Sequence, residues 1–313
     1  MRTLSPSTAA KLFATGATVG PIVDSLHNQC LLRYQVLPIC LEWPPAFLQK
    51  QTEMVGFAAI ASDASGAISD QYPFFFCSSW TVPPLLGFAY VVLGGVLPRI
   101  AETFAELLSN QNPNQRPPLL ETTAKASIPY SSSRELRTRA ILAVTSTALI
   151  IKLSEVLETH PGIFDNLNVA HGHPEAASLC VMIAAAVLQW VLLDGSITAL
   201  LVATVTAVGG PISELPFVGH GVWTYLEGAA DYLPLQNFLV DSVATTASDD
   251  SSLLLQLLRV VFGTSSYREL ALSSITGPCY FAVAMDAIAL GRWFDTQSVA
   301  PASLPAPFEN DTR

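Results

Sequence analysis

Three charged residues lie inside long apolar stretches of the sequence, where a charge is costly unless it has a partner or a function. Asp24 and Lys152 each fall late in such a stretch, and Asp286 falls in the middle of another. Asp24 and Lys152 would lie at similar depth in a membrane, so they can form a pair or, alternatively, each can extend to the interface. Asp286 predicts either a polar residue that faces the interior of a helix bundle or a relay for protons or ions.

Three histidines close together are the other group of residues that suggests chemistry. His160, His171 and His173 fall in one short segment, and a His-x-His pair can chelate zinc or copper. No acidic or thiol ligand follows them at a fixed spacing, and Gly172 and Pro174 are typical of a polar turn. The motifs of nucleophile elbows, zinc proteases and phosphate-binding loops are absent from the sequence. We therefore expect neither a metal nor a cofactor, and no enzymatic activity.

The composition indicates a membrane protein. Of the 313 residues, 50% are hydrophobic and only 13% are charged. A soluble domain usually carries about 25% charged residues, because its surface must be solvated. The formal net charge of −10 argues against nucleic acid as a partner, since no basic face is available to neutralise phosphates.

Six apolar stretches approach the length of about 20 residues that a helix needs to cross the hydrocarbon layer. The segment Asp194-Gly195-Ser196 separates the fourth stretch from the fifth and predicts a tight hairpin. Gly20 and Pro21 interrupt the first stretch, but neighbouring helices can satisfy a kinked backbone. The predicted fold class is all-α, a polytopic membrane bundle of about six transmembrane helices. The predicted spans are 10–26, 80–100, 140–157, 176–193, 197–212 and 275–294.

The distribution of Lys and Arg predicts the orientation of the bundle. With the N-terminus in the cytosol, ten of the 15 Lys and Arg residues fall on cytosolic segments, four fall outside and Lys152 falls within a span. Both termini are then cytosolic, with residues 1–9 before the membrane domain 10–294 and a tail, 295–313, that is predicted to be disordered. The connection 217–270 joins the last two spans and is the longest on the outer side.

Three of the five cysteines fall in the predicted outer connection between the first two spans. These are Cys30, Cys40 and Cys77. An outer location permits a disulfide bond among them. Free buried thiols are the alternative, and the spacing of the cysteines does not decide between the two.

Several stretches resemble the Insig family of membrane proteins. SSWTVPPLLGFAYVVLGGVLPRIA, at 78–101, is similar to the second span of that family. LQWVLLDGS, at 188–196, resembles the family's hairpin between spans four and five. GPCYFAVAMDAIALGRWF, at 277–294, resembles the last span, where Pro-Cys opens the helix and Gly-Arg closes it. The first span, with its Gly-Ala-Thr-Val-Gly-Pro run, is similar to that of plant and algal members, and together the matches cover about half of the chain in the family's order.

The resemblance implies a protein of the endoplasmic reticulum membrane, with a plastid membrane as the alternative. Such a protein binds an oxysterol or another lipid between its helices, diacylglycerol included. It holds or regulates a sterol-sensing partner of the Scap type, or a sterol-regulated reductase, and so takes part in sterol homeostasis and SREBP-type signalling. Two positions depart from the family: Gly195 replaces an Arg, and Ala177 falls where members carry an amide near the sterol.

The resemblance also assigns candidate binding residues. Asp194 and Ser196 match hairpin positions that hold partners in the family, although turn chemistry alone also explains an Asp there. The small residues of the spans would leave room for a lipid or let helices approach. The predicted lipid-binding residues are Gly20, Gly87, Gly94, Val144 and Ala177.

Two rival functions fit the same sequence. A transporter of a small solute, an ion or a lipid would use Asp24, Lys152 and Asp286 as a polar path through the bundle. An intramembrane lipid-modifying enzyme would use His171 and His173, but no carboxylate or nucleophile accompanies them in their segment.

Overall fold

The chain folds as an all-α membrane bundle, as the sequence predicts. A computed structural model describes residues 3–42, 74–111, 133–160, 163, 174–226, 228–232, 260–261 and 270–298. His171 and His173 lie outside the described residues, so the metal and enzyme hypotheses based on them are untested.

The described part of the chain contains six helical rods. The second rod is continuous but contains a π-helical turn, Val91–Val96, between α2 and α3. Each rod extends beyond its predicted span, because the sequence analysis counted only the apolar residues and the helices continue into polar flanks. The helices are α1 (Pro6–Leu31), α2 (Val82–Tyr90), α3 (Leu97–Gln111), α4 (Ser133–Thr159), α5 (Pro174–Leu193), α6 (Ile197–Gly219) and α7 (Thr276–Ser298).

Four of the six rods are long and apolar enough to cross a membrane by themselves: Val82–Leu107, Ser133–Thr159, Ala176–Leu193 and Ile197–Gly219. Between 28% and 39% of the residues in their most apolar windows are buried inside the protein. The outward faces are therefore apolar as well, and a continuous apolar surface of this kind needs lipid around it. Among the exposed side chains are Val92, Leu149, Leu188, Leu192, Leu201, Val205 and Val208.

The last helix, α7, lies at the centre of the bundle and contacts each of the other five rods. Of its 23 residues, 13 are buried, among them Asp286, which is fully buried. The largest hydrophobic cluster takes residues from all six rods around α7. This position explains why α7 is less apolar than the four spans above: protein, rather than lipid, surrounds it.

The two ends of the described chain meet at one end of the bundle. The Ser5 hydroxyl donates to Ser298 Oγ at 3.1 Å, and the Thr8 hydroxyl donates to Asp295 Oδ1 at 2.8 Å. The chain thus enters the first rod and leaves the sixth rod on the same side of the bundle, as expected for an even number of spans. At this end α1 begins within the predicted segment 1–9, and α7 includes the first residues of the predicted tail 295–313.

Short antiparallel strands close the opposite end of the bundle, within connections for which the sequence analysis predicted no strands. β1 (Leu32–Tyr34) follows α1 directly and pairs with β4 (Trp223–Tyr225), which lies just beyond α6. β2 (Pro38–Glu42) pairs with β3 (Phe74–Ser79), which leads into α2. The connection after α6 thus starts at 220 rather than 217, and its first residues pair with β1, which directly follows α1.

One disulfide bond joins the second strand pair. Cys40 and Cys77 lie directly opposite each other in the register and are bonded. Cys30 is a free, buried thiol in the last turn of α1. Both alternatives from the sequence therefore occur, one for the pair in the strands and one for the cysteine in the helix.

Close contact between backbones fixes α7 against the π-helical turn. A Cβ atom on Gly94 would overlap the carbonyl group of Ala287, and one on Gly291 would overlap the carbonyl of Gly94. Small residues of this kind let two helices approach until their backbones touch. No larger residue fits at either position without a shift of the helices.

We predict that Gly94→Ala destabilises the purified protein by about 1–3 kcal/mol, because the added methyl group forces α7 away from the turn. The matched control is Gly209→Ala in α6, where a Cβ would meet no atom within 4 Å. Alanine is the better helix former, so the control should be neutral or slightly stabilising. Thermal unfolding in detergent measures both variants. Equal unfolding temperatures for the two variants would contradict the packing of α7 described above.

Candidate functional site

A partly open cavity of about 90 Å³ lies between the helices near the strand-covered end of the bundle. Helices α1, α2, α6 and α7 and strands β1 and β4 supply nearly all of its wall, and α4 adds Ile151. Among the described residues α5 contributes none to the lining. The first, second, fifth and sixth rods therefore enclose most of the cavity.

The apolar part of the cavity wall comes chiefly from α1 and α2. Gly20 lies opposite the side chain of Leu86, which a Cβ at that position would contact at 2.9 Å. Val82 is buried in the wall, whereas Leu85 is 38% exposed. The wall between these two helices therefore runs from the buried interior to the outer surface of the bundle.

The polar part of the wall begins with one face of α1. Asp24, His27 and Asn28 lie three and four residues apart, so they share a side of the helix. The Asn28 amide donates to the Asp24 carboxylate and, at 2.7 Å, to the Tyr34 hydroxyl oxygen. The Tyr34 hydroxyl in turn donates to Asp24 Oδ2 at 3.2 Å. Asp24 is thus held by hydrogen bonds from its own helix and from β1.

A second carboxylate, Glu214 of α6, lines the same cavity and is 8% exposed. Each of its oxygens accepts a hydrogen bond from a tyrosine, Tyr280 at 2.6 Å and Tyr225 at 2.7 Å. Burial, followed by the neighbouring carboxylates, raises the pKa of Tyr225 and of Tyr34, which lie in strands outside the helices, well above the ordinary value. Both hydroxyls therefore keep their protons and act as donors.

The two carboxylates have no described lysine or arginine side chain near them. No lysine or arginine is among the described residues that line the cavity. Within the described part of the chain, neither Asp24 nor Glu214 forms a salt bridge, although four ion pairs occur elsewhere. Two acidic groups in a largely apolar enclosure are costly when no positive charge accompanies them.

Trp223 of β4 adds an unused hydrogen-bond donor to the wall. Its side chain is 95% buried and stacks on the ring of Phe217, with 5.0 Å between ring centroids. The indole N–H is close to Glu214, but among the described residues it meets no acceptor at hydrogen-bond distance and angle. Buried N–H groups nearly always have an acceptor, so this donor is unusual.

His27 points to the base of the cavity, where it contacts α4 and α7. Its Nδ1 atom lies 2.8 Å from Ser154 Oγ and 3.8 Å from Cys279 Sγ. Ser154 also donates to the carbonyl of Ile151 at 2.6 Å, so in the bond with His27 its oxygen accepts and Nδ1 carries the proton. These contacts join three helices through polar groups beneath the carboxylates.

Tyr90 connects the cavity with the centre of the bundle. It lines the cavity from the end of α2, and its hydroxyl donates to Asp286 Oδ2 at 3.1 Å. The other oxygen of Asp286 is buried and meets no donor at hydrogen-bond distance and angle among the described residues. Asp286 therefore faces the interior of the bundle, as one of the two sequence interpretations predicts.

Lys152 is not part of this site, and the predicted pair between Asp24 and Lys152 was wrong. The ammonium group of Lys152 forms a salt bridge with Glu155, one helical turn further along α4, and its side chain is 52% exposed. The depth of the two residues along their helices suggested a pair. The position of a residue along a helix does not, however, determine which side of the helix it faces, and Lys152 lies on the outer face of α4.

Of the five predicted lipid-binding residues, only Gly20 lines the cavity. Gly87 contacts the ring of Phe13, and Gly94 contacts α7. Val144 packs against the main hydrophobic cluster, and Ala177 is buried near the start of α5. Close helix packing accounts for these four positions in the structure.

The predicted partner-binding residues form contacts within the chain at the other end of the bundle. Asp194 forms a salt bridge with Arg292 of α7, and its side chain is only 8% exposed. Asp194 Oδ1 also accepts from the backbone N–H of Ser196 at 3.0 Å, while Ser196 Oγ caps α6 by accepting from Ala199 N at 3.2 Å. Gly195, which replaces the family's Arg, adopts a φ of +67° that favours glycine. Arg292 thus supplies the cation that the hairpin was expected to lack.

The sequence analysis missed most of the residues that complete the cavity. Glu214 lies two residues beyond the predicted end of the fifth span, between Pro211 and Pro216, and before the predicted connection 217–270, so it was assigned to neither. A carboxylate flanked by prolines at the end of an apolar stretch was the only signal. The tyrosines and the tryptophan come from segments far apart in the sequence, and nothing in their local patterns predicts that they meet. The missed residues are Asn28, Tyr34, Tyr90, Glu214, Trp223, Tyr225 and Tyr280.

Comparison of the chain with protein-family models, with curated proteins and with solved structures finds no match. The Insig resemblance therefore rests on the residues of the chain itself.

We predict that Asp194→Asn and Arg292→Gln each destabilise the protein by about 3 kcal/mol, because each removes one charge of a largely buried ion pair. The double variant should cost clearly less than the sum of the two. The control is Glu135→Gln, which removes the partly exposed pair with Arg139 and should cost about 0.3–0.5 kcal/mol. Thermal unfolding in detergent measures the four variants. Single variants no more damaging than the control would mean that Asp194 is free for a partner.

Proposed function

We propose that this membrane protein binds a sterol or another lipid in the cavity between its helices and, according to occupancy, retains or regulates a membrane partner. It acts without catalysis, as the Insig resemblance implies. The endoplasmic reticulum is the proposed membrane, and a sterol-sensing protein or a sterol-regulated reductase is the proposed partner. Sterol homeostasis of the SREBP type is the corresponding process.

The cavity is the observation that carries this proposal. It combines an apolar wall, built by Gly20, Val82 and Leu86, with a polar end at Asp24 and Glu214. An amphiphile has the same division, with an apolar body and a polar head. A site between helices that is mostly apolar and has a few polar groups is typical of small-molecule binding.

The proposed orientation places the cavity near the outer, lumenal side. The Cys40–Cys77 bond lies in the strands that cover this end, and disulfide bonds persist in oxidising compartments such as the lumen of the endoplasmic reticulum. The two termini and the Asp194 hairpin would then face the cytosol. A partner that contacts the hairpin would meet the Asp194–Arg292 pair as a unit, since the carboxylate is engaged by the arginine.

We predict that Val82→Phe removes a lipid that co-purifies with the wild-type protein, because the larger ring fills the apolar part of the cavity. The matched control is Val205→Phe, since Val205 is 62% exposed on α6 and faces away from the cavity. Native mass spectrometry after gentle extraction counts bound lipids in each form, and monodispersity on a sizing column confirms folding. The proposal fails if all three proteins carry the same bulk phospholipids and nothing else.

Transport is a second candidate, and a specific contact favours it. Tyr90 links the cavity to Asp286, so a polar line extends from Asp24 at one end of the bundle to its centre. Lys152, the third residue of the hypothesis, lies outside this line. A transporter should lose proton or solute flux in proteoliposomes on Asp286→Asn. Flux that is absent, or unaffected by this variant, would eliminate transport along the line.

A further inference from the structure

We infer that the polar end of the cavity binds a protonated amine with a neighbouring hydroxyl group, as in a long-chain amino alcohol. The alkyl chain of this amphiphile lies along the apolar wall between α1 and α2. The inference rests on the proposed lipid-binding function and names the class of lipid.

The two carboxylates of the site favour a positively charged ligand. Asp24 and Glu214 share one cavity, and no described lining residue carries a positive charge. Two buried carboxylates are stabilised by an ammonium group, which forms short, charge-assisted hydrogen bonds with them. A neutral lipid would leave both acidic groups without a counter-charge.

The aromatic rings around the carboxylates also favour an ammonium group. Tyr34, Tyr90, Trp223, Tyr225 and Tyr280 all line the cavity. Aromatic faces attract ammonium ions, and the attraction is stronger where water is excluded. Aromatic rings that surround two carboxylates form a site for an organic amine rather than for an anion.

The unused donor of Trp223 specifies the second group. Its indole N–H is buried close to Glu214, but no described residue offers an acceptor at hydrogen-bond distance and angle. An ammonium group has no lone pair and cannot serve as that acceptor. A hydroxyl next to the amine can accept from Trp223 and donate its own proton to a carboxylate oxygen, so it satisfies both. This requirement distinguishes an amino alcohol from a simple amine.

The apolar wall provides a path for the chain. Gly20 has no side chain, and Leu86 opposite it is flexible, so an alkyl chain can lie between α1 and α2. Leu85 is part of the same wall and is 38% exposed on the bundle. The chain can therefore extend from the polar end toward the surrounding lipid.

The test measures ligand-induced thermal stabilisation of the full-length protein in detergent with four lipids: sphinganine, N-acetylsphinganine, octadecylamine and cholesterol. Sphinganine carries an amine and a hydroxyl, the acetylated form lacks the charge, octadecylamine lacks the hydroxyl, and cholesterol is a neutral sterol. We expect sphinganine to bind the wild-type protein at least tenfold more tightly than N-acetylsphinganine or cholesterol. Octadecylamine should fall between these two groups.

Three variants assign the selectivity to the cavity. Glu214→Gln and Asp24→Asn should each weaken sphinganine binding at least tenfold, whereas Glu155→Gln, which removes the partly exposed carboxylate beside Lys152 outside the cavity, should have no effect. Trp223→Phe should weaken sphinganine several-fold and leave octadecylamine unchanged, because only the hydroxyl uses the indole N–H. The wild-type ranking of the four lipids is informative even if a carboxylate variant fails to fold.

The possible results separate this inference from the proposed function. Equal or tighter binding of N-acetylsphinganine or cholesterol overturns the amine inference but supports lipid binding. Equal binding of sphinganine by wild type and by Glu214→Gln, with the latter folded, also overturns it. If none of the four lipids binds, the amine inference is overturned. The proposed lipid-binding function is then tested separately, by whether the wild-type protein co-purifies with a lipid that Val82→Phe lacks.

Discussion

The backbone contact between α7 and the π-helical turn determines the arrangement of the other helices. Gly94 and Gly291 allow the backbones of the second rod and α7 to touch, and this contact fixes the rotation of the second rod relative to α7. Tyr90, which directly precedes the turn, then lies level with Asp286. Its hydroxyl donates a hydrogen bond to the Asp286 carboxylate. With α7 fixed, its first turns carry Thr276, Cys279 and Tyr280 into the cavity wall. The site therefore depends on a packing contact that contributes no functional group itself.

The polar end of the cavity needs residues from both helices and strands, because a buried carboxylate is costly unless hydrogen-bond donors surround it. Asp24 and Glu214 lie near the ends of two helices whose other faces meet lipid or packed side chains. The tyrosines of β1 and β4 supply the donors that each carboxylate needs, and the pairing of those strands holds the donors in place. This is a way to keep acidic groups inside a bundle without a basic partner. It leaves the positive charge to be supplied by a ligand.

Much of the architecture follows from the sequence, because the membrane restricts the choices. Apolar length identifies the rods, and Asp194-Gly195-Ser196 marks the hairpin, where Gly195 indeed has a positive φ. The rotation of each helix does not follow from length. That is why Asp24 lines the cavity whereas Lys152, its partner in one of the two predicted alternatives, pairs with Glu155 on the outer face of α4. The strands β1 and β4 have three residues each, too few for an alternating pattern to be visible. Glu214 lies just beyond the apolar residues that marked the fifth span, so apolar length did not include it.

An experimental structure of the protein in lipid nanodiscs, prepared from its native membrane without added ligand, tests the central claim most directly. The account predicts elongated density that begins between Asp24, Glu214 and Trp223 and continues along Gly20 and Leu86 toward the lipid. Carboxylates that contact only water or each other, in a cavity without such density, would contradict it. So would a continuous hydrated path from the cavity to Asp286, which is the arrangement expected of a transporter.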